Sequence, residues 1–145
     1  MIYKTNNPED TYKVARDFAK NLKAGDVITL DGDLGAGKTA FTRGVAEGLG
    51  IKDSVVSPTF TVVNEYLNGN IPLFHFDVYR IDSSDDLYDI GWEDYLNRNG
   101  IIMVEWASVV EDIFDMPVYK ITITKNPDIS YDYREIEINH KECGI

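Results

Sequence analysis

The richest chemical pattern in the sequence is the stretch from Gly32 to Thr39, which reads Gly-Asp-Leu-Gly-Ala-Gly-Lys-Thr. It matches a phosphate-binding loop, in which glycines let backbone N–H groups approach phosphate and the following helix directs its positive N-terminal end at the same charge. We expect Lys38 to reach the β- and γ-phosphates and the Thr39 hydroxyl to bind Mg²⁺. The other residues expected to contact phosphate are Leu34, Gly35, Ala36 and Gly37.

The sequence on both sides of the loop fits this interpretation. Residues 26–30 form a short run with the composition of a β-strand, and residues 40–49 have the apolar spacing of a helix. A strand, a glycine-rich turn and a helix N-terminus together make an anion site. The pattern therefore predicts a site for a nucleoside triphosphate.

A second acidic group follows an apolar strand farther along the chain. Residues 101–104 are apolar on both faces, as expected of a central buried strand, and Glu105 comes directly after them. A carboxylate there can hold Mg²⁺ through a water molecule or position the attacking water. Such a residue can also be an ordinary strand-end carboxylate, but the phosphate-binding loop favours the functional interpretation.

Asp77 is the other acid near the end of a predicted strand. It shares a strand face with His75, so it could bind Mg²⁺ or orient water, or it could pair with Arg80, and the sequence leaves both readings open. We expect His75 to be a partly buried residue with satisfied hydrogen bonds rather than a catalyst. Residues 57–59, Ser-Pro-Thr, could form a mobile segment that closes on the γ-phosphate.

These residues need a scaffold, and hydrophobic periodicity predicts one. Asn7 and Pro8 have the features of a helix start, and Asn68 and Gly69 those of a tight hairpin turn. The remaining predicted elements are a helix with an apolar stripe up to residue 22, a strand over 60–66, a return strand over 73–79, short acidic helices within 82–94, and an antiparallel pair over 118–124 and 134–138. The predicted fold is α/β: one domain over residues 1–145, with a P-loop NTPase-like mixed sheet flanked by helices and antiparallel hairpin strands.

Composition narrows the possible partners. The net charge is −11, with 14 basic and 25 acidic residues and no basic cluster, so direct binding to nucleic acid is disfavoured, although an acidic surface could meet a basic protein. No apolar run approaches the ~18 residues of a membrane span, so no membrane association is expected. The single cysteine, Cys143, cannot form an internal disulfide, and together with the lack of a signal-peptide pattern it indicates a cytoplasmic protein.

Three reaction classes remain open: an NTPase that serves a partner, a small-molecule kinase, and a nucleotide-gated binding module without turnover. Residues 125–128 have the wrong order for a guanine-reading motif, so ATP is preferred. The arginines are few and no segment is rich in them, whereas a kinase lid usually supplies several. An accessory ATPase fits this small acidic chain better than a free-standing enzyme.

Four motifs occur in a characteristic order: the loop at 32–39, Ser-Pro-Thr-Phe at 57–60, His-Phe-Asp-Val-Tyr-Arg at 75–80 and Val-Glu-Trp at 104–106. Together they resemble the bacterial TsaE (YjeE) family, the small ATPase of the threonylcarbamoyladenosine pathway of tRNA modification. The resemblance implies dependence on ATP and Mg²⁺ and a location in the cytoplasm. It also implies ATPase activity that is weak alone and depends on partners, association with TsaB and TsaD, and only indirect contact with tRNA, which is modified at adenosine 37.

The resemblance also assigns roles to residues. By motif match, Thr39 and Glu105 bind Mg²⁺, Asp77 and residues 57–60 act as catalytic or switch elements, and Trp106 lies near the nucleotide. Two residues in less distinctive flanking segments resemble nucleotide-contacting positions: Thr11 and Arg134.

Overall fold

The structure is a computed structural model that describes residues 1–32, 37–58 and 62–142. Its strands are β1 (Ile2–Thr5), β2 (Val27–Gly32), β3 (Val63–Tyr66), β4 (Leu73–Asp77), β5 (Ile101–Glu105), β6 (Val118–Lys125) and β7 (Arg134–Lys141). Its helices are α1 (Pro8–Ala19), α2 (Lys38–Gly48), α3 (Ser84–Ile90), α4 (Trp92–Leu96) and a 3₁₀ helix (Ala107–Ile113). The predicted α/β fold, a mixed sheet flanked by helices, is confirmed.

Within these described ranges the strands form one seven-stranded sheet in the order β1-β7-β6-β2-β5-β4-β3. The four central strands run parallel, and antiparallel partners close both edges. Strands β5 and β6 lie on opposite sides of β2, so the strand order reverses direction at β2. In α/β sheets, ligands bind in the crevice beyond the carboxyl ends of the strands at such a point. Strand β2 ends at Gly32 on this edge of the sheet.

Helices cover both faces of the sheet. Helices α1 and α2 pack on one face and the shorter helices pack on the other, each over its own apolar cluster. The two long helices approach very closely, because a Cβ added at Gly44 of α2 would lie 2.5 Å from the Cβ of Ala15 in α1. The close contact holds α2, and with it the end of the phosphate-binding loop, in a fixed position against α1.

Helix α1 begins where the sequence predicts. The Asn7 side chain accepts a hydrogen bond of 2.8 Å from the backbone N–H of Asp10, and Pro8 occupies the first turn. This start places Thr11 on the first turn of α1, facing the protein interior.

The β3–β4 hairpin is antiparallel as predicted, but the prediction of a tight turn at Asn68 and Gly69 is wrong. Tyr66 pairs with Leu73, so residues 67–72 form a longer connection. A tertiary contact explains the difference: the N–H of Asn70 donates to the carbonyl of Leu49 at 2.8 Å, so the connection packs on the end of α2.

Several element boundaries also differ from the sequence-based expectation. The strand expected over 60–66 begins at Val63, because Val62 has a left-handed φ of 66°, and Phe60 lies outside the described residues. The return strand ends at Asp77 instead of residue 79. Just after this end, the Asp77 carboxylate accepts a hydrogen bond from the backbone N–H of Tyr79. Strand β1 and the 3₁₀ helix were not predicted, whereas the terminal pair β6–β7 is confirmed and longer than expected.

Candidate functional site

The end of the phosphate-binding loop joins directly to helix α2. Gly37 caps the helix with a φ of 101°, a conformation that glycine adopts at little cost, and Lys38 is the first helical residue. The Lys38 side chain is buried; its ammonium donates to the carbonyl of Gly32 at 2.6 Å. Leu34, Gly35 and Ala36 lie outside the described residues, so their phosphate contacts stay predictions.

The segment that contains Ser57 lies against the first turn of α2. The hydroxyl oxygens of Thr39 and Ser57 are 3.1 Å apart, within hydrogen-bond distance. The structure thus brings Ser57, the first residue of the Ser-Pro-Thr motif, to the residue expected to bind Mg²⁺. Thr59 and Phe60 of the same motif lie outside the described part of the chain.

Glu105 and His75 form a buried pair across neighbouring strands. Parallel pairing of β4 with β5 sets Asp77 opposite Glu105, and the Nε2 atom of His75 lies 2.6 Å from the Oε2 atom of Glu105. The expectation that His75 is partly buried and satisfied is wrong, because its side chain is fully buried and its Nδ1 atom has no hydrogen-bond partner among the described residues. Residues 30 positions apart meet only through strand order, which is why the sequence did not predict the pair.

Asp77 is half-buried beside this pair. Burial is the largest effect that raises the pKa of its carboxyl, and the neighbouring charge of Glu105 raises it further, while the N–H of Tyr79, the imidazole of His75 and the ammonium of Lys38 oppose the shift. The alternative pairing with Arg80 does not occur among the ion pairs of the described residues. Asp77 lies opposite Glu105 in the strand register and close enough to Lys38 to feel its charge.

Trp106 covers the lysine. Its φ of 62° is unusual for a bulky side chain, and its backbone N–H lies 3.3 Å from the carbonyl of Leu30. The ring contacts two side chains: the Lys38 ammonium is 3.9 Å from the ring centroid, and the centroid of the Tyr79 ring is 4.8 Å away. The left-handed turn directly after β5 thus makes Trp106 one wall of the site.

These side chains surround a single cavity of about 300 Å³ at the carboxyl ends of β2, β4 and β5. Its lining residues are Gly37, Lys38, Thr39, Ser57, Asp77, Glu105 and Trp106. Larger surface hollows of about 520 and 460 Å³ exist beside α1, but neither gathers these groups, so we take the smaller cavity as the functional one.

Thr11 and Arg134 lie in a separate recess of about 50 Å³ on another side of Gly37. Thr11 is buried, and its hydroxyl is 3.1 Å from that of Thr5. The Nη1 atom of Arg134 donates to the carbonyls of Tyr131 and Tyr133. Both residues are thus close to the loop but outside the main cavity, and their contacts with nucleotide stay predictions.

Within the described residues, no helix combines the length and the apolar character that crossing a bilayer requires. Cys143 lies outside the described ranges.

Comparison with known proteins identifies the family. A sequence model of the family described as "Threonylcarbamoyl adenosine biosynthesis protein TsaE" matches residues 5–136. The chain is 47% identical over 136 residues to a relative from Bacillus subtilis, covering 94% of this chain and 83% of the relative. A relative from a Nostoc species is 44% identical over 143 residues, covering 94% and 84%. Both relatives are named tRNA threonylcarbamoyladenosine biosynthesis protein TsaE.

A solved structure agrees with these sequence matches. The crystal structure of YdiB from Bacillus subtilis superimposes with a TM-score of 0.77 at 40% identity, covering 95% of this chain and 83% of YdiB. The family model covers most of the chain, and the matched region, residues 5–136, includes every residue that lines the cavity. The chain therefore belongs to the TsaE family.

Proposed function

We propose that the chain binds ATP with Mg²⁺ in the cavity between Lys38 and Glu105 and hydrolyses the terminal phosphate. One observation carries this proposal: a lysine, two hydroxyls and two carboxylates from separate sequence motifs line the same cavity. The names of the relatives support assigning this hydrolysis to threonylcarbamoyladenosine modification of tRNA.

We further propose that the chain acts in the cytoplasm with TsaB and TsaD and supports modification of adenosine 37. The family description supports a role in that pathway. The net charge of −11 favours contact with tRNA through protein partners instead of through this chain's own surface.

The residues present fit a triphosphate with Mg²⁺. Mg²⁺ prefers oxygen ligands and usually keeps several waters, so one or two protein oxygens and substrate phosphates are enough to hold it. In the described part of the chain no three acidic, histidine or cysteine side chains form a cluster for a metal ion, so the metal would depend on the nucleotide. Thr39 and Glu105 both line the cavity and offer it a hydroxyl and a carboxylate.

Each side chain can then be given a task. Lys38 binds the β- and γ-phosphates as a point charge, and the N-terminal end of α2 adds its dipole. Thr39 and Glu105 would hold Mg²⁺, which when bound neutralises charge on the phosphates. Asp77 orients the attacking water through its carboxylate, and Trp106 shields the site from bulk solvent on one side.

Phosphate release tests the proposal. We expect a low rate from the isolated chain and a higher rate when TsaB, TsaD and tRNA are added. Lys38→Ala should abolish nucleotide binding or turnover, and Glu105→Ala should mainly damage Mg²⁺-dependent turnover while some nucleotide binding remains. Lys20→Ala removes an equally charged but exposed side chain far from the cavity, and it should behave as the unchanged protein does.

Other outcomes identify the alternative classes. Phosphate appearing on a small acceptor would indicate a kinase, and tight ATP binding without turnover, even with partners, would indicate a nucleotide-gated module. Unchanged affinity and activity in Lys38→Ala would refute the assignment of the site itself. If turnover survives in Glu105→Ala, Asp77 is the better candidate for the catalytic carboxylate.

A further inference from the structure

His75 is a polar residue on the face of the sheet that packs apolar side chains against α1 and α2. It lies in the middle of β4, fully buried, and its partner in register on β5 is the apolar and equally buried Met103. An apolar side chain at this position would fill the same space without burying ring nitrogens. The polarity of His75 therefore calls for a specific explanation.

The hydrogen bonding of the imidazole is one-sided. Among the described residues, Nε2 has a partner, the Oε2 atom of Glu105 at 2.6 Å, whereas the buried Nδ1 atom has none. Buried polar atoms in proteins are nearly always hydrogen-bonded, and one without a partner lowers stability. The ring is thus oriented by its contact with Glu105 and not by full satisfaction of its own nitrogens.

That contact fixes one oxygen of the Glu105 carboxylate. The role of Glu105 as a ligand of Mg²⁺ requires an ionised carboxylate, which can only accept, and in that form of the pair Nε2 donates to Oε2 at 2.6 Å. No other side-chain donor in the described ranges bonds this carboxylate. Asp77 lies directly opposite on β4, so the like charge tends to turn an unanchored Glu105 away from the cavity.

We infer that His75 is a positioning residue, which anchors Oε2 of Glu105 and leaves the second oxygen of that carboxylate to the cavity and to Mg²⁺. Side chains behind a metal ligand commonly orient it in this way. The inference rests on the proposed function, because the task of Glu105 in it is to hold Mg²⁺.

The test compares His75→Leu, which removes the donor, with His75→Gln, whose amide can place an N–H near the position of Nε2. Met103→Leu is the matched control, because it alters the buried residue paired with His75 without removing the contact to Glu105. For each protein, ATP affinity is measured with Mg²⁺ chelated, and the Mg²⁺ concentration for half-maximal nucleotide-induced thermal stabilisation is measured separately.

His75→Leu should raise the half-saturating Mg²⁺ concentration by about tenfold or more, while ATP affinity without Mg²⁺ stays within about twofold of the unchanged protein. His75→Gln should recover much of the Mg²⁺ response, and Met103→Leu should retain all of it. An unchanged Mg²⁺ response in His75→Leu overturns the inference. The inference is also overturned if His75→Leu lowers ATP affinity without Mg²⁺ as much as it lowers the response to Mg²⁺. It is overturned as well if His75→Gln, at the same thermal stability as His75→Leu, needs as much Mg²⁺ for half-saturation. If the unchanged protein itself binds no Mg²⁺ with ATP, the proposed function fails instead.

Discussion

Replacing Asp77 by asparagine should make the folded chain more stable at neutral pH and abolish phosphate release. Asp77 lies opposite Glu105 in the pairing of β4 with β5, and both carboxylates line the same cavity. Burial, with a further contribution from Glu105, raises the pKa of Asp77, so its charge is costly in the folded state. Asparagine keeps an oxygen that can accept the N–H of Tyr79, now 3.0 Å from the carboxylate, but it carries no charge.

The size of the gain follows from strand geometry. Neighbouring strands lie about 4.8 Å apart, and two charges at roughly 5 Å repel by about 3 kcal/mol at an effective dielectric constant of about 20. The ammonium of Lys38 offsets part of this cost, and solvent at the open side of the cavity screens more. We expect a net rise of about 1–2 kcal/mol in the free energy of unfolding, or about 3–6 °C in Tm.

The gain should depend on pH. Because the folded-state pKa of Asp77 is raised, the folded protein takes up this proton at a higher pH than the unfolded chain does. The cost of the charge is therefore present at neutral pH and disappears as the pH falls through the raised pKa. The stabilities of the variant and the unchanged protein should converge on acidification.

Urea denaturation without nucleotide, repeated from neutral to acidic pH, measures the gain in stability of Asp77→Asn. Phosphate release in the presence of the partners measures its loss of hydrolysis. Asp128→Asn, on an exposed loop, is the control, because it relieves the overall net charge of −11 by the same one unit. A variant less stable than the unchanged protein at neutral pH would refute the reasoning. A gain equal to that of the control, or hydrolysis at the normal rate, would refute it as well.

Three further predictions concern other parts of the chain. Lys38→Ala should lower ATP affinity by at least about 1.5–3 kcal/mol, the range for one charge-assisted hydrogen bond, in titration calorimetry, and any ATP that still binds should not be hydrolysed; Lys20→Ala should change neither. Gly44→Ala should lower the free energy of unfolding by about 1–3 kcal/mol in urea denaturation, because its Cβ would meet Ala15 at 2.5 Å, and adding Ala15→Gly should recover part of the loss. The pKa of Glu65 is lowered chiefly by its hydrogen bond from Arg98, so the ionised Glu65 stabilises the fold at neutral pH and this stabilisation is lost on acidification. In Glu65→Gln the free energy of unfolding should therefore change less over the acidic range, as measured by urea denaturation at several pH values.

The parts of the molecule that local chemistry determines could be predicted from the sequence. Asn7 caps α1 by a contact three residues away, and the apolar run ending at Glu105 forms a central parallel strand because both of its faces are covered. The same holds for the approximate positions of α2, β2 and the terminal pair.

Features that depend on contacts between distant segments could not be predicted. The prediction of a tight turn at Asn68 and Gly69 is wrong because the connection between β3 and β4 forms a hydrogen bond to Leu49 at the end of α2. The His75–Glu105 pair depends on the register of β4 with β5. The left-handed backbone of Trp106 has no sequence signal of its own, since glycine or asparagine would be expected there.

The most direct test of the proposed site is a crystal structure with Mn²⁺ in place of Mg²⁺ and a non-hydrolysable ATP analogue. The predicted result is an anomalous metal peak between the analogue's phosphates and the side chains of Thr39 and Glu105, with the Lys38 ammonium on the β- and γ-phosphates. An analogue bound in another hollow, or a metal peak away from both Thr39 and Glu105, would contradict the assignment of this cavity.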